Sequence, residues 1–277
     1  MDNLLKTFFD WDSMRAVIPS LFTVGLKNTL ILALASTVLG TVIGIVLAVM
    51  AISRTAWLRI PSRIYTDVFR GLPAILTILL IGQGLARVGR DLFGPSPYPL
   101  GILALSLIAG AYIGEIFRAG IESVDKGQLD ACRALGMSYG RAMRLVVVPQ
   151  GIRRVLPALV NQFIGNIKDS SLVYFLGLLT SERELFRIGQ DAAVDSGNLS
   201  PLVMAGLFYL VITVPLTHLV NYFDRRFRRG RKLTTVSSGL NEINELDSAE
   251  LATVSPQLIP DGPVAASGST IGIGRKS

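Results

Sequence analysis

Hydrophobic residues in this chain fall in long blocks separated by short polar stretches, a pattern foreign to soluble domains. A mostly apolar run of about 18 residues or more can cross the hydrocarbon core of a bilayer as an α-helix. Five blocks meet or approach that length: about 26–50, 71–88, 100–118, 155–179 and 201–223. The second block is short, and polar residues interrupt the fourth. The pattern predicts an all-α integral membrane protein with about five transmembrane helices inside residues 21–227.

The two ends of the chain differ from this membrane domain. Residues 1–20 lack the basic region and short apolar core of a cleaved signal peptide, so we expect the first span to be retained. Residues 228–277 are rich in Ser, Gly and Pro and poor in large apolar side chains. Such a composition predicts a mostly disordered tail.

The 277-residue chain is basic, with a formal net charge of +7, and the location of the charges decides what this means. Basic residues outside the spans concentrate in alternate loops, around Arg54–Arg70, Arg118–Arg154 and Arg225–Lys232. Because Lys and Arg favour the cytoplasmic side of short loops, the N-terminus is predicted outside and the C-terminus inside. The excess charge therefore indicates orientation and contact with membrane lipid, and we expect no nucleic acid partner.

Small residues recur every four positions in the first span, at Ser36, Gly40, Gly44 and Ala48. This spacing places them on one helix face, where another backbone can approach closely. We predict that this face packs within the subunit, and a seam between subunits is the alternative.

A different pattern occupies residues 125–150, in the longest loop on the predicted inner side. Its core, GQLDACRALGMSYGRAMRLVVVP, is too polar and too interrupted by glycine to cross a membrane. We predict a helix with Leu129, Cys132 and Leu135 on one face, a left-handed end at Gly136, and a second helix that Pro149 terminates. Ser138 is the expected cap of that second helix. Such a segment fits a groove on a partner, or lies on lipid or on its own bundle.

The same segment resembles the EAA signature of the permeases of ABC importers. That signature reads Glu-Ala-Ala, three residues, Gly, nine residues, then Ile-x-Leu-Pro, and here the matching residues are Asp130-Ala131-Cys132, Gly136 and Val146-x-Val148-Pro149. RGLPAILTILL (70–80), AYIGEIFRAGIESV (111–124) and KDSSL (168–172) resemble the polar amino-acid branch. Asp130 and Cys132 depart from the signature but preserve charge and small size.

The resemblance implies a type I ABC importer permease-like fold and a mechanism. In that family the loop is a coupling helix that rests in a cleft of an ATPase subunit. The ATPase-coupling residues implied here are Asp130, Ala131, Cys132, Leu135, Gly136, Met137 and Pro149. Closure of the ATPase dimer around ATP then drives alternating access of the membrane helices.

The resemblance also implies a set of partners in the cell membrane of a bacterium. These are two ABC ATPase subunits per complex, a second permease copy or paralogue, and an extracytoplasmic amino-acid-binding protein. The chain has no G-x-x-x-x-G-K-[ST] phosphate loop, so we expect it to be a transport subunit without enzymatic activity. ATP and Mg would then bind to the partner ATPase, and this chain would bind no cofactor. The transported amino acid stays open among glutamate, glutamine, arginine, histidine and cystine.

Ionisable and amide groups within the spans are the candidates for a substrate pathway, since such groups are costly in a bilayer. The candidates are Glu115, Asn161, Asn166, Lys168 and Asp169. The alternative is structural: Glu115 pairs with Arg118 at i, i+3, and Lys168 and Asp169 serve their own helix. His218, the one histidine, is expected to be a packing or interface residue.

Two other classes of protein remain possible from the residues alone. A self-contained secondary transporter or channel would explain the ionisable residues, although five spans without an inverted repeat are against it. A membrane anchor or scaffold would need only the basic loops. The single cysteine, Cys132, excludes an intrachain disulfide and a cysteine-cluster metal site.

Overall fold

The computed structural model describes residues 6–222, and within that range the secondary structure is helical with no strand. The predicted tail at 228–277 and the basic cluster Arg225–Lys232 lie outside the described residues.

Eleven helices can be labelled in chain order within the described range. They are α1 (Trp11–Ser20), α2 (Leu26–Ala51), α3 (Ala56–Gly71), α4 (Ala74–Gly84), α5 (Ala86–Phe93), α6 (Tyr98–Glu122), α7 (Lys126–Ala134), α8 (Tyr139–Ala142), α9 (Val148–Asp169), α10 (Leu185–Ser196) and α11 (Ser200–Tyr222). Two π-helical turns, Leu21–Gly25 and Met143–Val147, and two 3₁₀ segments, Ser170–Leu176 and Thr180–Glu182, complete the order.

The first span begins earlier than its apolar pattern indicates. A π-helical turn, Leu21–Gly25, joins α1 directly to α2, and the candidate span runs over 46 residues from Lys6 to Ala51. Pro19 precedes this turn. Proline removes one backbone donor and crowds the preceding turn, and a wider turn accommodates such a defect without ending the helix. The predicted boundary between residues 20 and 21 is therefore not a break in the helix.

Length and composition identify fewer candidate spans in the described range than the five predicted. Three helices in the described range are long and apolar enough to cross a membrane: Lys6–Ala51, Tyr98–Glu122 and Ser200–Tyr222. A fourth is obtained if α3 and α4, which meet at a bend of 104°, count as one broken span. The count of five and the N-outside orientation thus stay predictions.

The predicted spans at 71–88 and 155–179 have different forms in the structure. Helix α4 has 11 residues, a length of about 16 Å, which is too short to cross a bilayer alone. Helix α9 ends at Asp169 and continues as the 3₁₀ segment Ser170–Leu176. Polar residues near both ends of α9 lower its hydropathy, so hydrophobicity alone does not identify it as a span.

Helix α6 lies at the centre of the bundle, and α2 packs along it through the small-residue face. A Cβ added at Gly40 would lie 2.7 Å from the Ala109 Cβ, and one at Gly44 would lie 2.8 Å from the Gly114 backbone nitrogen. The glycines thus permit a contact that any side chain would block. The predicted packing of this face within the subunit is confirmed.

Helix α9 packs on α6 near the loop at 125–150. A Cβ at Gly151 would lie 2.8 Å from the Ile121 Cα, and the Arg154 guanidinium donates to the Ser123 carbonyl. The two helices that flank the loop are therefore fastened together where the loop begins and ends.

Candidate functional site

The loop between α6 and α9, residues 125–150, folds as helix, turn and helix. At the start of α7 the Asp125 carboxylate accepts a hydrogen bond of 2.7 Å from the Gly127 backbone nitrogen. At the end, Gly136 has a φ of +80°, and the Met137 nitrogen donates to the Cys132 carbonyl at 3.0 Å. This pairing is a Schellman motif, in which a left-handed glycine lets the chain turn back on the helix end. The predicted helix end at Gly136 is confirmed.

The second helix of the loop is capped as predicted but does not end where predicted. The Ser138 hydroxyl accepts a 3.4 Å hydrogen bond from the Arg141 backbone nitrogen at the start of α8. Helix α8 then continues through the π-helical turn Met143–Val147 into α9, with Pro149 in the first turn of α9. The prediction that Pro149 terminates the helix is wrong. As at Pro19, a wide turn next to the proline lets the helix continue.

The two faces of α7 have different surroundings. Leu129 and Cys132 point inward: Cys132 is buried, and Leu129 packs against a cluster formed by Ile121, Val124 and Val147. Leu135 does not share that face, because its side chain is 84% exposed. It occupies the C-cap position, with φ −79° and ψ 11°, where the chain leaves the helical path. The expectation of one Leu129–Cys132–Leu135 face is therefore corrected.

The outward side of this loop is a surface of small residues around one exposed leucine. Its exposed members are Asp130, Ala131, Ala134, Leu135 and Gly136, and Met137 is half-buried beside them. A leucine that is 84% exposed beside Ala131, Ala134 and Gly136 leaves apolar area in water. We call this set the outer coupling surface.

The predicted pathway residue Glu115 is engaged in an ion-pair ladder on α6. The Arg118 guanidinium binds Glu115 through two nitrogens and also reaches Glu122 at 2.5 Å. The i, i+3 pair expected as the structural alternative is therefore present. Glu115 is half-buried, so the pair is still accessible from one side.

The four other pathway candidates lie on α9 and separate into two environments. Asn166 is buried, and its amide donates to the Thr37 hydroxyl of α2 at 2.8 Å and accepts from Gln162 at 3.2 Å. Asn161 and Lys168 are exposed and Asp169 is half-buried. Within residues 6–222 no hydrogen bond or ion pair joins Glu115 to any of these four residues.

Two groups that the sequence pattern does not single out also carry polar chemistry, Arg70 at the end of α3 and Glu184 before α10. Arg70, treated as a loop cation, lies with its guanidinium 5.4 Å from the centre of the Tyr112 ring. Arg70 and Arg63 are also close enough to Glu115 to act on it electrostatically. The available signal was the helical spacing of Arg59, Arg63 and Arg70 on α3, which a loop assignment conceals.

Glu184 is the other group, and its hydrogen bonds join the start of α10 to α11. Its buried carboxylate caps α10 by accepting from the nitrogens of Phe186 at 2.5 Å and Arg187 at 2.7 Å. The Tyr209 hydroxyl of α11 also donates to it at 3.0 Å. Burial raises the pKa of the Glu184 carboxyl to about 7, although these hydrogen bonds favour the charged form. Glutamate is not among the preferred helix caps, so the residue pattern alone does not indicate this role.

Comparison with known proteins identifies the family to which these features belong. The profile of the family described as "Binding-protein-dependent transport system inner membrane component" matches residues 40–229. The chain is 35% identical to the probable amino-acid permease protein YxeN of Bacillus subtilis (strain 168), covering 78% of this chain and 95% of that one. It is also 34% identical to the glutamate/aspartate import permease protein GltK of Escherichia coli O6:H1, covering 79% and 98%.

Solved structures agree with this match. A crystal structure of an amino acid ABC transporter with histidines superposes with a TM-score of 0.70 at 32% identity, covering 78% of this chain and 98% of that one. The MetNI methionine ABC transporter in an inward-facing form shares the fold, with a TM-score of 0.59 at 21% identity, covering 74% and 94%. The chain therefore belongs to the family of inner membrane components of binding-protein-dependent transport systems, and it is the permease subunit of an ATP-driven importer in the cell membrane.

Proposed function

We propose that this permease moves a polar or charged amino acid into the cell, driven by an ATPase that binds the outer coupling surface. The observation that carries the proposal is the construction of residues 125–150. Capping and the Schellman turn fix the shape of the loop from within, while Leu135 is left 84% exposed. A partner that covers this side chain would remove its apolar area from water.

The small residues beside Leu135 indicate that the ATPase receives this helix in a groove. Ala131 and Ala134 are exposed and carry only a methyl group, so the helix can enter a cleft closely. The Asp130 carboxylate adds one charge to this surface and can pair with a basic group on the partner. Cys132, Met137 and Pro149 would contribute by shaping the loop, since Cys132 is buried and Pro149 lies at the start of α9.

Force on this loop would be transmitted to the membrane helices through α9. Helix α8 is continuous with α9, which packs on α6 and bonds to α2 through Asn166 and Thr37. A displacement of the loop would therefore move α9 as a lever against the pair formed by α2 and α6. The chain has no phosphate loop, so ATP and Mg would bind to the partner, with one permease for each of two ATPase subunits.

We further propose that the exposed polar side of α9 faces a second permease, either a copy or a paralogue, and lines the route of the substrate with it. Asn161 and Lys168 lie seven residues apart, two helical turns on one face, and both are exposed within the single chain. Exposed amide and ammonium groups at membrane depth need water or a polar partner. Asp169, the Glu115–Arg118 pair and Arg70 supply further charges for a zwitterion. Asn166 would support the route rather than line it, because it is buried.

The relatives support an amino acid as the transported substrate. We expect the extracytoplasmic binding protein to select which amino acid it is. Among the relatives are an arginine transport system permease protein, ArtQ, of Bacillus subtilis (strain 168), and the glutamate/aspartate permease GltK. Arginine and the pair glutamate/aspartate carry opposite charges, yet the two permeases are 35% and 34% identical to this chain. A permease that accepts either sign is consistent with a route containing both cations and carboxylates.

The test is purification of the complex from native membranes, with ATPase content and amino-acid uptake measured together. Leu135→Asp, Gly136→Asp and Asp130→Lys should each remove the ATPase partner, whereas Gly140→Ala should retain it. Glu115→Gln and Asp169→Asn should keep the ATPase and abolish uptake. Full ATPase retention by the three loop variants would refute the docking surface, and uptake without any ATPase would favour a self-contained secondary transporter.

A further inference from the structure

A cavity of about 550 Å³ lies next to the coupling loop and is not used by the proposed coupling mechanism. It is bounded by the turn between α2 and α3, the end of α6, and the inner side of α7 and α8. Four basic residues contribute to its lining: Arg54, Arg59, Arg63 and Lys126. Two carboxylates, Glu122 and Asp125, complete the charged groups in the wall.

The cavity wall carries four basic residues and two carboxylates, so its net charge is positive, and one of these carboxylates, Glu122, already pairs with Arg118. Glu122 binds Arg118, 2.5 Å away, and Asp125 accepts from the Gly127 nitrogen at 2.7 Å. None of the four basic residues forms an ion pair within residues 6–222. A cavity with four cations and two carboxylates attracts a multivalent oxyanion.

One of the arginines is held in position by an aromatic ring of the loop. The Arg54 guanidinium lies 4.4 Å from the centre of the Tyr139 ring. An arginine stacked by its face keeps its N–H edge for an anion, and phosphate oxygens match that edge. Because Arg54 follows α2 and Tyr139 belongs to α8, an anion bound here would bridge the bundle and the coupling loop.

The helix that carries Arg59 and Arg63 presents an apolar stripe on the face next to these arginines. Trp57 is 87% exposed, and Ile60 and Ile64 are 54% and 59% exposed at positions i+3 and i+7. A tryptophan followed by aliphatic residues on one face, with arginines beside that face, is the pattern of a helix at a lipid interface. A soluble anion would not use this stripe, whereas a lipid offers both a phosphate and acyl chains.

We propose that this cavity is a binding site for the phosphate headgroup of an anionic phospholipid whose acyl chains lie along Trp57, Ile60 and Ile64. Lys126 and Tyr139 place the headgroup against the coupling loop, so lipid binding would stabilise the position of the loop. Coupling between the ATPase and the permease should then depend on the anionic lipid content of the membrane.

The experiment uses the purified permease–ATPase complex in nanodiscs of phosphatidylcholine with increasing fractions of phosphatidylglycerol. Mass spectrometry counts the phosphatidylglycerol molecules that the detergent-extracted complex retains, and ATP hydrolysis is measured in the same discs. Arg59→Gln with Arg63→Gln is the test variant, and Arg59→Lys with Arg63→Lys restores the charge. Arg15→Gln with Arg87→Gln removes two exposed cations outside the cavity as the matched control.

The wild-type complex, the lysine variant and the matched control should retain phosphatidylglycerol in preference to phosphatidylcholine. The glutamine variant should lose that preference by about 25-fold, because each of the two basic residues near an anionic surface contributes about fivefold. Its ATP hydrolysis should also stop responding to phosphatidylglycerol while its ATPase content is unchanged.

Three results would overturn the proposal. The first is undiminished lipid retention by the glutamine variant. The second is an equal activation of ATP hydrolysis when inorganic phosphate replaces phosphatidylglycerol in discs of pure phosphatidylcholine. That result would make a soluble phosphate the ligand. The third is loss of the ATPase from the glutamine variant, which would mean that a carboxylate of the ATPase occupies the cavity.

Discussion

The Asn166 amide donates a 2.8 Å hydrogen bond to the Thr37 hydroxyl, and this bond links α9 to the first span across 129 positions of sequence. Asn166 is buried, and its side-chain oxygen accepts a hydrogen bond from the Gln162 amide. The pair makes α9, which continues from the coupling loop, part of the same packed unit as α2.

Asn166→Leu should therefore lower stability, whereas Asn161→Leu should not. Interhelical hydrogen bonds in membrane proteins contribute about 0.6 kcal/mol on average and up to about 1.7 kcal/mol. We expect a lower thermal unfolding midpoint for Asn166→Leu in detergent, with substrate preference unchanged. Asn161 is exposed, so its replacement should reduce uptake at an unchanged midpoint. Reduced uptake at an unchanged midpoint for Asn166→Leu, with a lower midpoint for Asn161→Leu, would show that Asn166 lines the route.

The seam between α2 and α6 should not tolerate a methyl group. A Cβ at Gly44 would lie 2.8 Å from both the Gly114 nitrogen and the Ile113 Cγ2. Overpacking of this kind costs about 1–3 kcal/mol, so Gly44→Ala should lower the unfolding midpoint clearly. Gly206→Ala in α11 is the control, since its added Cβ meets no atom within 4 Å in the described structure. Equal midpoints for the two variants would disprove the close contact.

The turn after α7 should need glycine for its backbone conformation rather than for space. Gly136 has a φ of +80°, and an added Cβ would meet no described atom within 4 Å. Gly136→Ala should cost about 1–2 kcal/mol from the left-handed backbone alone and weaken ATPase coupling. Gly140→Ala lies in regular helix and should be neutral or slightly stabilising. Measurement of uptake at saturating ATP for both variants decides the matter, and equal uptake would show that the turn is dispensable.

The buried Glu184 carboxyl should make stability depend on pH. Its folded pKa of about 7 lies above its ordinary value of 4.5, so the folded state holds a proton that the unfolded state has released. By linkage this contribution is complete below pH 4.5 and is lost as pH rises toward about 7. Wild-type stability should fall over that window relative to Glu184→Gln, by up to about 3 kcal/mol at the full shift.

The check is the unfolding midpoint of both proteins from pH 4.5 to pH 8. Tyr209→Phe removes a donor that favours the charged carboxylate, so its loss of stability should be centred at higher pH than in the wild type. A wild-type curve parallel to that of Glu184→Gln over the whole range would show that Glu184 does not titrate there.

Local signals in the sequence were reliable where short-range geometry decides the structure. Gly136 ends α7 and Ser138 caps α8 as predicted, because a left-handed glycine and a capping hydroxyl act over only a few residues. The outcome at Pro149 was different, since the π-helical turn Met143–Val147 keeps the helix continuous. A proline has two outcomes in a helix, and the packing of the neighbouring turn selects between them.

The sequence by itself determined the membrane class, the all-helical fold, the family and the position of the coupling loop. Those properties follow from block hydrophobicity and from motif residues that act locally. Only the tertiary structure decided that Leu135 faces outward, that Asn166 is a buried tie to Thr37, and that Arg54 stacks on Tyr139. Burial and pairing between distant residues depend on how helices pack, because each helix offers several faces and the packing selects which of them is covered.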